Sequence, residues 1–245
     1  MAGESTAQRP RGRRDPGGRR RAAHSMEAVV SETVALLDEA GESALTFRAL
    51  AARLGGGAAS IYWYVASKEE LLDRATDHVL AGVLDDIAPY SGEADPIDAL
   101  RRMAVTAFEA IAERPWLASY FMRDTAMQPH GLLLYERLGQ QVLRLGLTPR
   151  QSFHAVSAVL GYVVGIAADL GQGPPPEVLD GSVTRDEYMD RFVDEWRSLD
   201  PEEFPFVRHI VEEFAGHDDA DQFRAGLDLL LAGLRLQAGP QQDGY

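Results

Sequence analysis

Apolar residues along the chain recur three and four positions apart, and nowhere do they alternate with period two for long enough to read as a strand. This spacing, with the polar breaks between, predicts helices near 25–40, 46–54, 58–64, 68–88, 96–113, 115–125, 129–145, 149–170, 185–199 and 220–237. Several helix starts carry their own chemistry. Ser67-Lys68-Glu69-Glu70 reads as a capping box, in which a hydroxyl and a carboxylate satisfy otherwise unpaired backbone donors. Asp95-Pro96, Thr148-Pro149-Arg150-Gln151 and Thr184-Arg185-Asp186-Glu187 each combine a cap residue with proline at the first position, an acid or amide at the third, or both. GQGPPP, from Gly171 to Pro176, is the clearest internal break and reads as a loop.

The densest information lies in residues 45–72, LTFRALAARLGGGAASIYWYVASKEELL. Leu50, Ala51 and Leu54 place an apolar stripe on one short helix, with a small residue where another helix must cross closely. Gly55 is placed to end that helix, where a left-handed conformation is cheap only for glycine. The next helix is too short to hold alone in water, so Ile61 and Val65 must pack it against the first. Ser60, Tyr62, Trp63 and Tyr64 are left for the accessible faces. A short helix braced crosswise, with hydroxyls and aromatics outward, is the form of a helix-turn-helix DNA reader.

Two later helices differ from the rest. SFHAVSAVLGYVVGIAADL, 152–170, is apolar nearly all round, with Ala155, Ala158, Gly161, Gly165 and Ala168 interspersed. Such a helix must be covered on every side. FRAGLDLLLAGL, 223–234, puts Phe223, Leu227, Leu230, Leu231 and Leu234 on one stripe. These two helices either complete the core of one chain or join two chains.

Charge changes the picture once it is divided. The whole chain carries −14, which argues against a polyanionic partner. Residues 1–24, however, hold seven arginines against Glu4 and Asp15, a net of +5. Residues 25–75 hold four cations against eight acids, a net of −4. The first segment mixes Arg, Pro and Gly without apolar periodicity and is expected to be a disordered arm. No apolar run approaches the length needed to span a bilayer, and no apolar stretch follows the N-terminal arginines as it would in a secretory signal. The absence of cysteine excludes disulfides and thiolate metal sites and fits a cytoplasmic protein.

Leu45-Thr46, Arg48, Leu50-Ala51, Leu54-Gly55, Ile61-Tyr62-Trp63, Lys68 and Leu71-Leu72 together resemble the DNA-binding domain of the tetracycline-repressor (TetR) family of bacterial regulators. The recognisable region is 25–75, and a weaker resemblance to the family's ligand-binding domain continues to about 237. The resemblance implies an all-α protein: a disordered arm at 1–24, a three-helix reader at 25–75, a larger ligand-binding and dimerisation domain at 76–237, and a tail at 238–245. It implies a homodimer through 149–170 and 220–237, a double-stranded DNA operator, and a small-molecule effector that releases a repressor. Carried over by position, the DNA contacts are Arg48, Ala58, Ala59, Ser60, Tyr62, Tyr64 and Lys68, with Trp63 beside them. Arg11, Arg13, Arg14, Arg19, Arg20 and Arg21 supply a basic arm. The effector cavity is expected to use Met103, Trp116, Tyr120, Phe121, Tyr135, Phe153, His154 and Tyr162.

The chain departs from that pattern at Gly56-Gly57-Ala58-Ala59, where relatives carry larger and more polar residues. Alanine methyls offer no bidentate hydrogen bonds to bases, and glycines inside a helix cost about 1 kcal/mol each. Leu84 stands where a cavity histidine would serve a magnesium–tetracycline complex, so that inducer is not expected, nor is any metal or cofactor. Enzyme readings find no footing: the six histidines show no HExxH, GxSxG is absent, and GGGAAS lacks the lysine of a phosphate loop. The competing reading is a helical protein-binding scaffold that has lost specific DNA binding. The glycine–alanine segment and the reader's −4 favour it; the arginine arm, Arg48 and Lys68 oppose it.

Overall fold

Side-chain caps begin most of the helices in the computed structural model, which describes residues 24–118, 128–171 and 175–239. The elements are α1 (Met26–Ala44), α2 (Phe47–Arg53), α3 (Ala58–Ile61), α4 (Lys68–Ile87), α5 (Pro96–Ala112), α6 (Pro129–Leu143), α7 (Pro149–Leu170), α8 (Pro176–Leu179), α9 (Arg185–Ser198), α10 (Pro205–Ala215) and α11 (Asp219–Ala238). No strand occurs among the described residues. Thr148 and Thr184 form full capping boxes with Gln151 and Glu187. Ser67 caps α4 as expected, but Glu70 reaches past it to accept the Ala66 N–H at 2.7 Å.

Three differences from the sequence reading have physical causes. α1 runs on to Ala44 through a kink at Gly41, whose φ of +70° no other residue type takes cheaply. α3 stops at Ile61 rather than at 64, the chain turning at once toward α4. α10 was not foreseen. Its start has proline at the first position but Phe204 at the cap, which makes no side-chain hydrogen bond, so no polar signal announces it.

α5 is the axis of the body. Ile97, Ala99, Leu100, Met103, Ala104, Ala107, Phe108 and Ile111 are all buried, and α4, α6, α7 and α11 pack around it. α9 and α10 lie against each other, joined by a Trp196–Phe214 ring stack at 4.3 Å and a two-pronged Arg197–Glu212 ion pair.

α7 is long and apolar enough to cross a membrane by length and composition, with a mean hydropathy of 1.6 over its best window. That corrects the expectation that no run reaches that length. Only 28% of this window is buried within the chain. Val156, Val159, Val163, Val164 and Ala167 face the body, while Phe153, Ala158, Gly161 and Gly165 are exposed. On α11 the predicted stripe splits. Phe223, Leu227, Leu231 and Leu234 turn into the core, and Leu229 and Leu230 face outward with Leu236.

The seam of α5, α7 and α11 is aromatic. Phe223 lies flat on Phe108 at 3.7 Å and beside Tyr162 at 5.4 Å, and the Tyr162 hydroxyl donates to the Phe223 carbonyl at 3.2 Å. Gly226 makes room for this ring: a Cβ there would stand 2.7 Å from Tyr162 Cζ and closer still to its hydroxyl. Because the ring is held by its stack, it cannot swing clear without losing contacts. Gly226→Ala is therefore expected to destabilise the chain by about 1–3 kcal/mol, measured by urea unfolding. Unchanged stability would show that the seam is looser than its geometry.

Candidate nucleic-acid interface

α1 to α3 and the start of α4 form a small module. The Thr46 hydroxyl accepts the Ala49 N–H at 3.0 Å and opens α2, while Leu50 and Ala51 turn inward. Gly55 takes φ +72° at the end of α2, and Gly57 is the N-cap of α3. All three glycines of the run thus lie outside the helices, and the cost expected of glycine within a helix does not arise. Ile61 and Val65 are buried in one core with Leu50, Ala51, Leu71 and Leu72.

The outer surface of α3 is then defined by what remains. Trp63 is 89% exposed and Tyr62 64% exposed, the latter edge-on to Phe47 at 4.7 Å. Arg48 and Ala59 are exposed, and Ala58, Ser60 and Tyr64 half-buried. The Ser60 hydroxyl donates to the Gly57 carbonyl at 2.6 Å, and the Tyr64 hydroxyl donates to the His24 carbonyl. Both donors are thus spent within the chain. The second of these bonds roots the N-terminal segment beside α3.

Most of the module's positive charge is spent as well. Arg53 grips Glu39 through both terminal nitrogens, at 2.6 and 2.9 Å, and Glu32 through Nε. These hydrogen bonds hold the Glu39 carboxyl below its usual range and push the Arg53 guanidinium higher still. Arg74 pairs with Glu70 at 2.8 Å. Lys68 Nζ donates to the Glu42 carbonyl at 2.9 Å and lies 3.5 Å from its carboxylate. Among the described residues of 25–75, Arg48 is the one cation without an ion pair. The module's own acids Glu32, Glu39, Glu42 and Glu70 occupy three of its four cations, which leaves one guanidinium beside two exposed aromatic rings and the exposed Ala59 methyl.

Comparison with known proteins agrees with this geometry. Residues 29–75 match the model for "Bacterial regulatory proteins, tetR family", and residues 88–238 match "Tetracyclin repressor-like, C-terminal domain". The chain belongs to the tetR family of bacterial regulatory proteins. It is a DNA-binding transcriptional regulator. The structure of SCO7222, a TetR from Streptomyces coelicolor, superposes with a TM-score of 0.73 at 35% identity, covering 88% of this chain and 99% of that one. The repressor DrrR1 of Streptomyces coeruleorubidus is 28% identical over 86% of this chain and 77% of its own length. The class D tetracycline repressor protein of Escherichia coli is 26% identical over 86% and 89% respectively.

In the tetR-type body, the described members of the expected effector set lie in different surroundings. Met103 is buried in the axis, and Tyr135 packs half-buried against the same core. Tyr162 belongs to the aromatic seam, where burial raises the pKa of its hydroxyl. Phe153 and His154 face outward on α7; His154 lines a groove of about 290 Å³ between α7 and α11. Tyr120, Phe121 and the arm arginines lie outside the described residues.

Trp116 also ties the body to the reader. Its indole N–H donates to Asp38 of α1 at 2.7 Å, and Arg114 Nε stands 3.3 Å from the other oxygen of the same carboxylate. A second joint ties α4 to α6: Asp77 accepts the His130 main-chain N–H at 2.9 Å, and His130 Nδ1 lies 2.8 Å from its other oxygen. These residues were missed because the partners are 78 and 53 positions apart, and no local spacing marks them.

The placements of Ile61 and Trp63 make opposite claims on stability. Ile61→Ala should cost about 2–5 kcal/mol, as for a fully buried aliphatic side chain. Trp63→Ala should stay within about 0.5 kcal/mol, as for an exposed one. Thermal or urea unfolding of the pair checks this, and a large loss on removing Trp63 would return it to the core.

Proposed function

We propose that the protein acts as a homodimeric repressor, released from its operator when a small molecule binds the body. The observation that carries the reading is the exposure of Arg48, Tyr62 and Trp63 around a helix-turn-helix whose other cations are internally paired. Arg48 reaches a base edge or a phosphate, Tyr62 and Lys68 hold phosphates, and Ser60, Tyr64, Ala58, Ala59 and Trp63 line the groove face. Phosphate contacts position the reader, and base contacts specify the site. The arm arginines add minor-groove contacts next to α3, where His24 roots them. Such a protein works beside its DNA, in the cytoplasm.

Dimerisation is supported by the outward face of α7 with Leu229, Leu230 and Leu236, an apolar surface of the kind that marks an interaction site. Two readers must then match half-sites about 34 Å apart, so a shift of a few ångströms between them suffices for release. The effector must favour the released state by several kcal/mol to clear the operator. Among the relatives, DrrR1 is named a transcriptional repressor and the class D protein a tetracycline repressor, and ActR of Streptomyces coelicolor, which shares the fold, has been crystallised in complex with actinorhodin. These relatives support a small molecule as effector without naming this one's. The scaffold alternative has less support, because the reader's side chains are presented and the glycines do not disrupt its helices.

Arg48→Ala should weaken operator binding by about 1–3 kcal/mol, and if Arg48 rests on a phosphate the salt slope should fall by about one unit. Binding measured by fluorescence anisotropy across a salt series separates these outcomes; undiminished affinity would remove Arg48 from the interface.

For the dimer, Phe153→Glu combined with Leu229→Glu should give a folded monomer by sedimentation. Both side chains are more than half exposed in the single chain, so the substitutions spare its core. A persisting dimer would put the interface elsewhere.

A further inference from the structure

A cleft of about 610 Å³ opens where the reader meets the body. One wall is the start of α1, with Met26, Glu27 and Val30; the other is a stripe of α4 from Glu70 to Ala81; the end is closed by Pro129 and His130 of α6. Four carboxylates line it, and they are not equivalent. Glu70 is bound to Arg74 and to the Ala66 N–H, and Asp77 is bound to His130. Glu27 and Asp73 have no hydrogen-bond or ion-pair partner for their carboxylates among the described residues. The walls are thus held in place by two of the acids, and the other two offer unneutralised charge beside the apolar surface of Met26, Val30, Ala81 and Pro129.

The chain itself carries the complement. Residues 1–24 hold seven arginines and a net of +5, and this segment joins the described chain at His24, two residues before Met26 in the cleft wall. At up to about 3.6 Å per residue, Arg21 can stand as far as about 18 Å from Met26, so Arg19, Arg20 and Arg21 are tethered within reach of both free acids. Arginine suits the site twice over, its guanidinium pairing with carboxylate while its stem covers apolar surface. We propose that this cleft is the berth of the protein's own arginine-rich arm when no DNA is bound. Exposed ion pairs are individually weak and screened by salt; the tether gives the arm a high effective concentration. The result is an arm held loosely enough for a duplex to draw it away, which makes the arm's cost on DNA the loss of its berth.

The lack of cysteine allows a single nitroxide to be attached at Gly17→Cys of the full-length chain, with paramagnetic broadening read at backbone amides. The proposal expects broadening at Asp73, Asp77 and Ala81 in low salt, absent at about 1 M salt, where the screening length is about 3 Å. Glu27→Gln with Asp73→Asn should reduce it by about threefold or more, the population change expected from one or two exposed ion pairs. An unchanged thermal melt shows the variant to be folded. Equal broadening with and without the two acids, or broadening centred on another surface, overturns the berth. So does broadening seen only between a labelled and an isotope-labelled copy, which would make the contact intermolecular. None of these readings needs DNA, so a failure of operator binding would leave this result standing, and the reverse.

Discussion

A four-residue helix has no stability of its own, and the reader's shape depends on the burial of Ile61 and Val65 beneath α3. With those two side chains in the core, the remaining positions of the segment have their directions decided. Tyr62 and Trp63 go outward because Ile61 goes inward, and Ser60 and Tyr64 lie at the flanks with their hydroxyls tied to the chain. The outward aromatic surface is therefore a consequence of core packing one residue away. The same core contains Leu71 and Leu72 of α4, so the helix that leads into the body is part of what holds α3.

Electrostatics explain how an acidic chain can serve a polyanion. The eight acids of 25–75 look prohibitive when counted, yet Glu32, Glu39, Glu42 and Glu70 are engaged with Arg53, Lys68 and Arg74. These pairs brace α1 against α2 and against the start of α4. Exposed pairs contribute little to stability singly, but here they neutralise four of the eight acids within the module and leave Arg48 without an ion pair among the described residues. A sum of charges by sequence segment misses this, because it cannot tell a paired cation from a presented one.

What the sequence made legible follows the range of the interaction. Caps act over two or three residues, and Ser67, Asp95, Thr148 and Thr184 each cap the helix their spacing implied. Gly55 is likewise a local demand, met by its positive φ. The periodicity of α7 and α11 revealed apolar faces but not which face would be used: Leu230 and Leu231 are neighbours in sequence, and one is outward while the other is fully buried. α10 had no cap to announce it. The expected effector set was the hardest to read from sequence because large aromatics satisfy several roles alike. Tyr162 fills a seam against Gly226, Trp116 bonds to the reader, and Phe153 stands on the outer face, three fates that depend on partners far along the chain.

Those distant partners bear on how reader and body communicate. A reader attached through α4 alone would be free to roll about that helix. The Asp38 carboxylate removes this freedom by accepting a hydrogen bond from the Trp116 indole and pairing with the Arg114 guanidinium, so α1 is fixed to the segment just after α5 as well. Asp77 fixes α4 in turn to the first turn of α6. In sequence both tethers flank residues 119–127, and both use a carboxylate, one on α1 of the reader and one on α4 where it enters the body. A movement of the body that reaches the readers, as the proposed release requires, has α4 and these two carboxylates as routes across the joint. The coupling is then set by hydrogen-bond geometry at the joint more than by the flexibility of the helices, since helices transmit displacement as rigid elements.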